Sequence, residues 1–385
     1  MRPLLIWITG IVLQTYGSFR LSSFALLLIP AVLLLAPTVF RGKPEPNYGG
    51  RCNWGIAFAC LLLFLSIQMT AYHENRPPDP APGLLQQWAG RARERLLAPL
   101  ERLQLSETDR LVLATVTLGD NGQMPKDIRQ QFADTGVIHI LSVSGFHVAI
   151  VCGFITRILF FLSANTIGTW IRYLLAMLLL WAFTAVSGMA AASIRSAAML
   201  TLYLTGKQLS RSTDGYSTLT VSAFCMLAYN PLYLYDIGFQ LSYTAVASIL
   251  YLQPSLSGLL EIRNPVLRTP WECATLTLAA QAGVAFLCLF YFERFPVLFL
   301  FTNIPLTLIA TLLIPSALVW MMMPEAGFPG SDVLQFTVEV LTRSMTWIVD
   351  AFSHIPGNTF SLRFGIGTMI LSYVALLLFF LYCKK

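Results

Sequence analysis

The stretch "VIHILSVSGFHVAIVCGF", residues 137–154, is apolar enough for lipid, yet it holds His139, Ser142, Ser144, Gly145 and His147 within nine positions. Read as one continuous helix at 100° per residue, His139 and Ser142 point about 60° apart, and Ser144 and His147 point about 60° apart on another side. Such polar groups wrap more than half of the helix. Lipid does not solvate that surface, so a continuous helix here has to be enclosed by protein or water. The alternative is a break at Gly145, since broken helices at membrane depth occur where they line a cavity. A purely structural account is also open, in which the hydroxyls bond back to carbonyls one turn earlier and each imidazole finds one partner.

The surrounding chain has the composition of a membrane protein. Its 385 residues are 56% hydrophobic and 11% charged, with mean hydropathy +0.66, whereas soluble domains carry about 25% charged residues. The apolar residues lie in long blocks, clearest at 24–40, 54–69 and 373–383, and such runs read as transmembrane helices. The expected fold is all-α, a polytopic helical membrane protein of about ten to twelve transmembrane helices with a broken or polar central helix.

Helices are expected near 3–17, 22–40, 54–72, 137–163, 167–187, 189–206, 217–229, 239–256, 272–292, 298–323, 332–354 and 365–383. The segment 332–354 alternates Asp332, Glu339, Arg343 and Asp350 with apolar residues, a pattern that also suits a helix lying on the membrane surface. Three parts follow: N-terminal transmembrane helices (1–72), an external linker with an amphipathic interfacial helix (73–135), and a helical bundle (136–385). Basic residues at Arg2, Arg41/Lys43/Arg51, Arg157, Lys207/Arg211, Arg263/Arg268 and Lys384/Lys385 fall on one side if every helix spans. That side is expected to be cytoplasmic, which leaves 73–135 facing outward. The net charge of +6 fits this topology and also suits a polyanionic partner.

Within the linker, Leu85, Trp88, Ala92, Leu96, Leu100 and Leu103 recur at helical spacing, opposite Arg91, Arg93, Glu94, Arg95, Glu101 and Arg102. This is an amphipathic helix, bent near Pro99 and suited to the membrane surface. "SETD" (106–109) reads as an N-cap with an acid at the third helical position. Pro125 opens a short helix that Gly136 closes. The seven cysteines form no C-x-x-C pair. They read as small apolar residues, so neither a metal nor a cofactor is expected.

Further polar groups sit in apolar helices. "SGMAAASIRSAAML" (187–200) spaces Gly188, Ala192 and Ser196 four apart beside Arg195. Small residues at that spacing let helices approach closely. An arginine near mid-bilayer costs about 2.5–3.5 kcal/mol and requires a partner; an ion pair with Asp236 is the structural alternative to an anionic ligand. "DIGFQLSYTAVASIL" (236–250) carries Asp236 and Gln240 on a polar stripe, "CATLTLAAQ" (273–281) carries Thr277 and Gln281, and "FTNIPL" (301–306) places Asn303 before Pro305. A lined path through the bundle accounts for all of these together.

These residues also carry a family likeness. "HILSVSGFHVAIV", "SGMAAASIRSAAML", "DIGFQLSYTAVASI" and "AAQAGVAFLCLFYFERFPVLFLFTNIP", in that order, resemble motifs of the ComEC family of competence channels, over about residues 107–322. The resemblance implies an inner-membrane channel that passes single-stranded DNA into the cytoplasm during natural transformation and is not itself an enzyme. On that reading His139, Ser142, Ser144, Gly145, His147, Arg195, Asp236, Gln240, Gln281 and Asn303 form the channel lining or the polar network that holds it.

The family's external OB-fold domain does not fit in 73–105, and no H-x-H-x-D-H cluster of its metallo-β-lactamase-like domain is present. The expected partners are therefore single-stranded DNA, the lipid bilayer, and separate DNA-capture and nuclease proteins, with a homo-oligomer left open. Three alternatives stand beside this reading. One is a small-solute transporter, although no inverted repeat is seen. Another is an intramembrane serine hydrolase using Ser144, with His147 in reach only if the chain bends locally. The last is a truncated, non-functional copy of the channel.

Overall fold

The computed structural model describes residues 1–17, 48–75, 83–120, 122, 124–164, 166–211, 213–323 and 330–383. The helix expected at 22–40 lies outside the described residues. Among the described residues the chain forms fourteen α-helices and one two-stranded ribbon, so the fold is all-α.

The helices are α1 (Arg2–Gly17), α2 (Tyr48–Glu74), α3 (Leu84–Leu97), α4 (Glu107–Leu118), α5 (Lys126–Asp134), α6 (Gly145–Ile158), α7 (Thr166–Val186), α8 (Ala191–Gln208), α9 (Gly215–Tyr229), α10 (Ile237–Ser257), α11 (Pro265–Phe292), α12 (Phe299–Met321), α13 (Ser331–Ser353) and α14 (Ile366–Cys383). Four segments among the described residues are long and apolar enough to cross a membrane: Gly145–Leu162, Thr166–Val186, Val266–Phe292 and Phe299–Met321. A shorter apolar helix covers Ile366–Leu376. The protein is a multi-pass helical membrane protein.

The chain divides into two compact units. The first comprises Met1–Pro80 and Thr213–Gln240. In it α1 crosses α2 at Gly10, where an added Cβ would stand 2.8 Å from the Ser66 side chain. Ser66 Oγ donates to the Trp7 carbonyl at 2.6 Å, and Trp7 Nε1 donates to the Leu227 carbonyl of α9 at 3.1 Å. The indole meets Phe224 edge-on at 5.3 Å, so one tryptophan ties three helices of this unit together.

The second unit comprises Ala81–Ser212 and Leu241–Lys385. Its core includes Val112, Leu113, Val116 and Leu118 of α4, Leu180 of α7, Leu306, Leu313 and Ile314 of α12, and Val338 and Met345 of α13. α4 and α5 belong to the stretch 73–135 in the sequence, and both pack against α13. Their ends follow the expected signals. Ser106 Oγ accepts the Asp109 N–H at 3.1 Å, and Gly119 ends α4 in the left-handed region. Near Pro99 the amphipathic segment leaves α-helix for a 3-10 turn, Ala98–Arg102.

Gly136 has φ +79, and a Cβ there would stand 2.8 Å from both Pro296 and Phe299. Only glycine satisfies both constraints. Pro296 belongs to β1 (Arg294–Pro296), which pairs antiparallel with β2 (Thr359–Ser361), Phe295 opposite Phe360. Three-residue strands show no alternation long enough to announce this ribbon.

α13 packs along α12 and places Val338, Thr342, Met345 and Val349 inward. Its charged residues Asp332, Glu339, Arg343 and Asp350 recur near one helical stripe. There Glu339 accepts the Gln104 N–H at 2.9 Å, and Arg343 donates to the Gln104 carbonyl. The charges anticipated on this helix thus face the segment leading into α4.

The crossing of α10 and α11 yields a stability prediction. A Cβ on Gly283 would meet Ser248 Cβ at 2.5 Å and the Thr244 carbonyl at 3.0 Å. Gly283→Ala is expected to cost about 1–3 kcal/mol by overpacking and to lower the thermal midpoint in detergent. Gly153→Ala, with nothing within 4 Å of the added atom, is expected to leave the midpoint unchanged or slightly raised. Equal midpoints for the two variants would contradict the close crossing.

Candidate functional site: the broken segment before α6

The 137–163 segment is not one helix. Residues Ile138–Ile140 form a 3-10 turn, and α6 begins only at Gly145. Of the two arrangements open from the sequence, the broken one is found.

The break is built by side chains that take over backbone pairing. Ser144 caps α6, and its N–H donates to His147 Nδ1 at 3.3 Å. Ser144 Oγ lies 3.0 Å from the same nitrogen. Serine at the cap and histidine at the third helical position thus form a capping box, with imidazole in the place usually held by a carboxylate or amide. Because Nδ1 accepts the backbone N–H, the neutral ring carries its proton on Nε2. The ring has 0% exposure and lies against the Ile140 backbone and the His139 ring.

α8 clamps the break from one side. Ser193 Oγ donates to the Val143 carbonyl at 2.9 Å, replacing the bond that a continuous helix would have made. At Gly145, an added Cβ would stand 2.5 Å from Ser196 Oγ, so the Ser196 hydroxyl occupies the space that the missing side chain leaves. Arg195, next to Ser196, is buried at 3% exposure. α12 supports the other side. Thr302 Oγ1 donates to the Thr135 carbonyl at 2.7 Å. Asn303 lies beside His139 and donates from Nδ2 to Thr277 Oγ1 of α11 at 2.8 Å. Polar side chains of three elements, His139, Asn303 and Thr277, are thus neighbours.

Exposure divides these residues. His147 and Arg195 are buried, whereas His139 and Ser142 are exposed.

Of the residues expected at the site, His139, Ser142, Ser144, Gly145, His147 and Asn303 come together around the break, and Arg195 is buried on the helix that clamps it. Gln281 is half-buried one turn beyond Thr277 on α11. Asp236 and Gln240 fall in the other unit, and each makes a bond near the start of α10. Asp236 Oδ1 accepts the Phe239 N–H at 2.7 Å, and Gln240 Nε2 donates to the Leu234 carbonyl at 3.0 Å. Reasoning from sequence missed Ser193 and Thr302 as clamps. The small-residue spacing in 187–200 marks the surface on which Ser193 acts; nothing local to Thr302 marks its long-range bond.

The clamp is testable by a double-mutant cycle. Gly145→Ala is expected to destabilise the protein by about 1–3 kcal/mol. Ser196→Ala in the same chain removes the Oγ at 2.5 Å and leaves Cβ at 3.5 Å, an ordinary contact. The pair should recover most of the loss, and simple additivity in thermal unfolding would contradict the contact.

With the geometry in place, comparison with known proteins is informative. The model of the competence protein family matches residues 116–385, well over half of the chain. ComE operon protein 3 of Bacillus subtilis (strain 168) is 27% identical over 188 residues, which is 49% of this chain and 23% of that protein. The chain therefore spans less than a quarter of that relative in their shared region. No solved structure matches. The broken segment, its clamp in α8 and its support in α12 all fall inside the matched residues, and the chain belongs to the competence protein family of the ComEC type.

Proposed function

We propose that this chain forms a channel in the bacterial inner membrane through which single-stranded DNA enters the cytoplasm during natural transformation. The observation that carries the reading is the break at 137–144. It leaves His139 and Ser142 exposed, with His147 buried in the first turn of α6 and Arg195 buried on the helix that clamps the break. Non-helical backbone at membrane depth is tolerated where protein or a water-filled cavity surrounds it. A single strand is a polyanion and needs polar or cationic surroundings along its path. Imidazole, hydroxyl and guanidinium groups supply donors for phosphate oxygens, and the strand crosses without a covalent step on this chain. Separate proteins capture the DNA and degrade the second strand.

The test is uptake of end-labelled DNA into cells lacking the gene, restored with wild type, Arg195→Ala or His147→Ala at equal membrane levels. Wild type should deliver label to the cytoplasm, and both variants should deliver far less. Uptake that survives deletion of the gene, or wild-type uptake by both variants, would overturn the proposal.

One observation favours a second reading. Ser144 Oγ lies 3.0 Å from His147 Nδ1, the contact that a serine nucleophile needs with its base. The cap at Ser144 supplies the local bend that this contact requires. The same Nδ1 accepts the Ser144 N–H, so the capping role accounts for the geometry without catalysis. A fluorophosphonate probe separates the two readings. The channel predicts no labelling, whereas a hydrolase predicts labelling that Ser144→Ala abolishes.

A further inference from the structure

α3 exposes a face that nothing else in its unit covers among the described residues. Leu84, Leu85 and Trp88 are 78%, 63% and 73% exposed, and Arg91 and Arg95 are exposed as well. Leu84, Trp88, Arg91 and Arg95 follow at intervals of four, three and four residues, which places them on a single helical stripe. The stripe is apolar over its first two turns and cationic over the next two. The opposite side of α3 packs against α7 and buries Ala89.

The level of α3 relative to the membrane follows from that packing. α7 is one of the apolar segments long enough to span, and it ends at Val186. Just beyond it, a Cβ on Gly188 would stand 3.2 Å from Nη1 of Arg93, in the middle of α3. The middle of α3 therefore lies level with the end of a span, at the boundary between hydrocarbon and headgroups. The α7 helix itself presents an apolar surface, with Ile167, Leu174 and Leu178 all at least 60% exposed, as a helix bordered by lipid does.

We propose that α3 is an interfacial anchor that docks on the phospholipid bilayer. Leu84, Leu85 and Trp88 enter the boundary between headgroups and acyl chains, and Arg91 and Arg95 meet lipid phosphates. Leucine and tryptophan suit that depth, and arginine keeps its guanidinium in the headgroup layer while its stem lies on apolar material. The anchor also bears on the break. Arg93 abuts Gly188, and the adjoining Ser187 carbonyl would stand 3.1 Å from a Cβ on Gly119, which in turn packs against Val143. Bilayer docking of α3 thus braces the turn against which the broken segment rests. This inference stands apart from the nature of the transported molecule.

The experiment uses the full chain reconstituted in vesicles of phosphatidylcholine and phosphatidylglycerol. Trp88→Phe isolates the Trp88 fluorescence by difference from wild type. The expected component is blue-shifted, quenched by nitroxides near the lipid headgroups and unaffected by aqueous iodide. Leu85→Trp in the Trp88→Phe background gives a second reporter, expected to behave alike. Quenching of both by iodide and by neither lipid nitroxide would overturn the proposal. So would shielding from both quenchers, which would place protein, such as a second copy of the chain, on this face. Arg91→Gln/Arg95→Gln should weaken nitroxide quenching when the anionic lipid is present. No change in these conditions would remove the lipid-phosphate role.

Discussion

Unpaired backbone is what a bilayer tolerates least, and the second unit is organised around one place where a helix stops pairing with itself. Residues 137–144 give up regular α-helical bonding ahead of an apolar span. Side chains from elsewhere restore part of what is lost. Ser193 donates to the Val143 carbonyl at 2.9 Å, and the Ser144 N–H finds His147 Nδ1 at 3.3 Å. Just upstream, Thr302 donates to the Thr135 carbonyl at 2.7 Å. Each bond requires a helix at close range, and the small or kinked elements provide it. Gly145 lets α8 reach the break, Gly136 lets Pro296 and Phe299 lie against the preceding turn, and α12 carries two internal prolines, Pro305 and Pro315.

The same arrangement explains why polar side chains persist at this depth. Burying a polar group without a partner costs several kcal/mol in an apolar medium. Asn303 is matched by Thr277 and Thr307. His147 is matched on Nδ1 by the Ser144 N–H, and the Ile140 backbone lies beside the ring. A path for a polyanion needs donors of this kind within reach of an accessible crevice. The exposed His139 and Ser142 beside the buried His147 fit that requirement.

The sequence made the helices legible because an apolar run longer than a core helix has few alternatives. It made the ends of α4 and α5 legible because caps are local: Ser106 and Gly119 act on residues within one turn. The break was legible only as one of two options, because periodicity cannot tell a crowded polar helix from an interrupted one. What settles it is the bond from Ser193, fifty positions away from Val143 in sequence. Asp236 and Gln240 were legible as members of a polar stripe, whereas the local bonds they make at the start of α10 were not. The ribbon between Arg294–Pro296 and Thr359–Ser361 was illegible because three-residue strands carry no usable period.

The central claim is that the break faces water while the outer surface of α6 faces lipid. Both Ser142 and Ala149 are exposed on the protein surface, so exposure alone does not separate them. In a chain lacking its native cysteines, Ser142→Cys and Ala149→Cys can each be treated in intact membranes with a charged, membrane-impermeant thiol reagent. A water-filled crevice at the break predicts rapid modification of Ser142→Cys and none of Ala149→Cys. A Ser142→Cys as unreactive as Ala149→Cys would contradict the account.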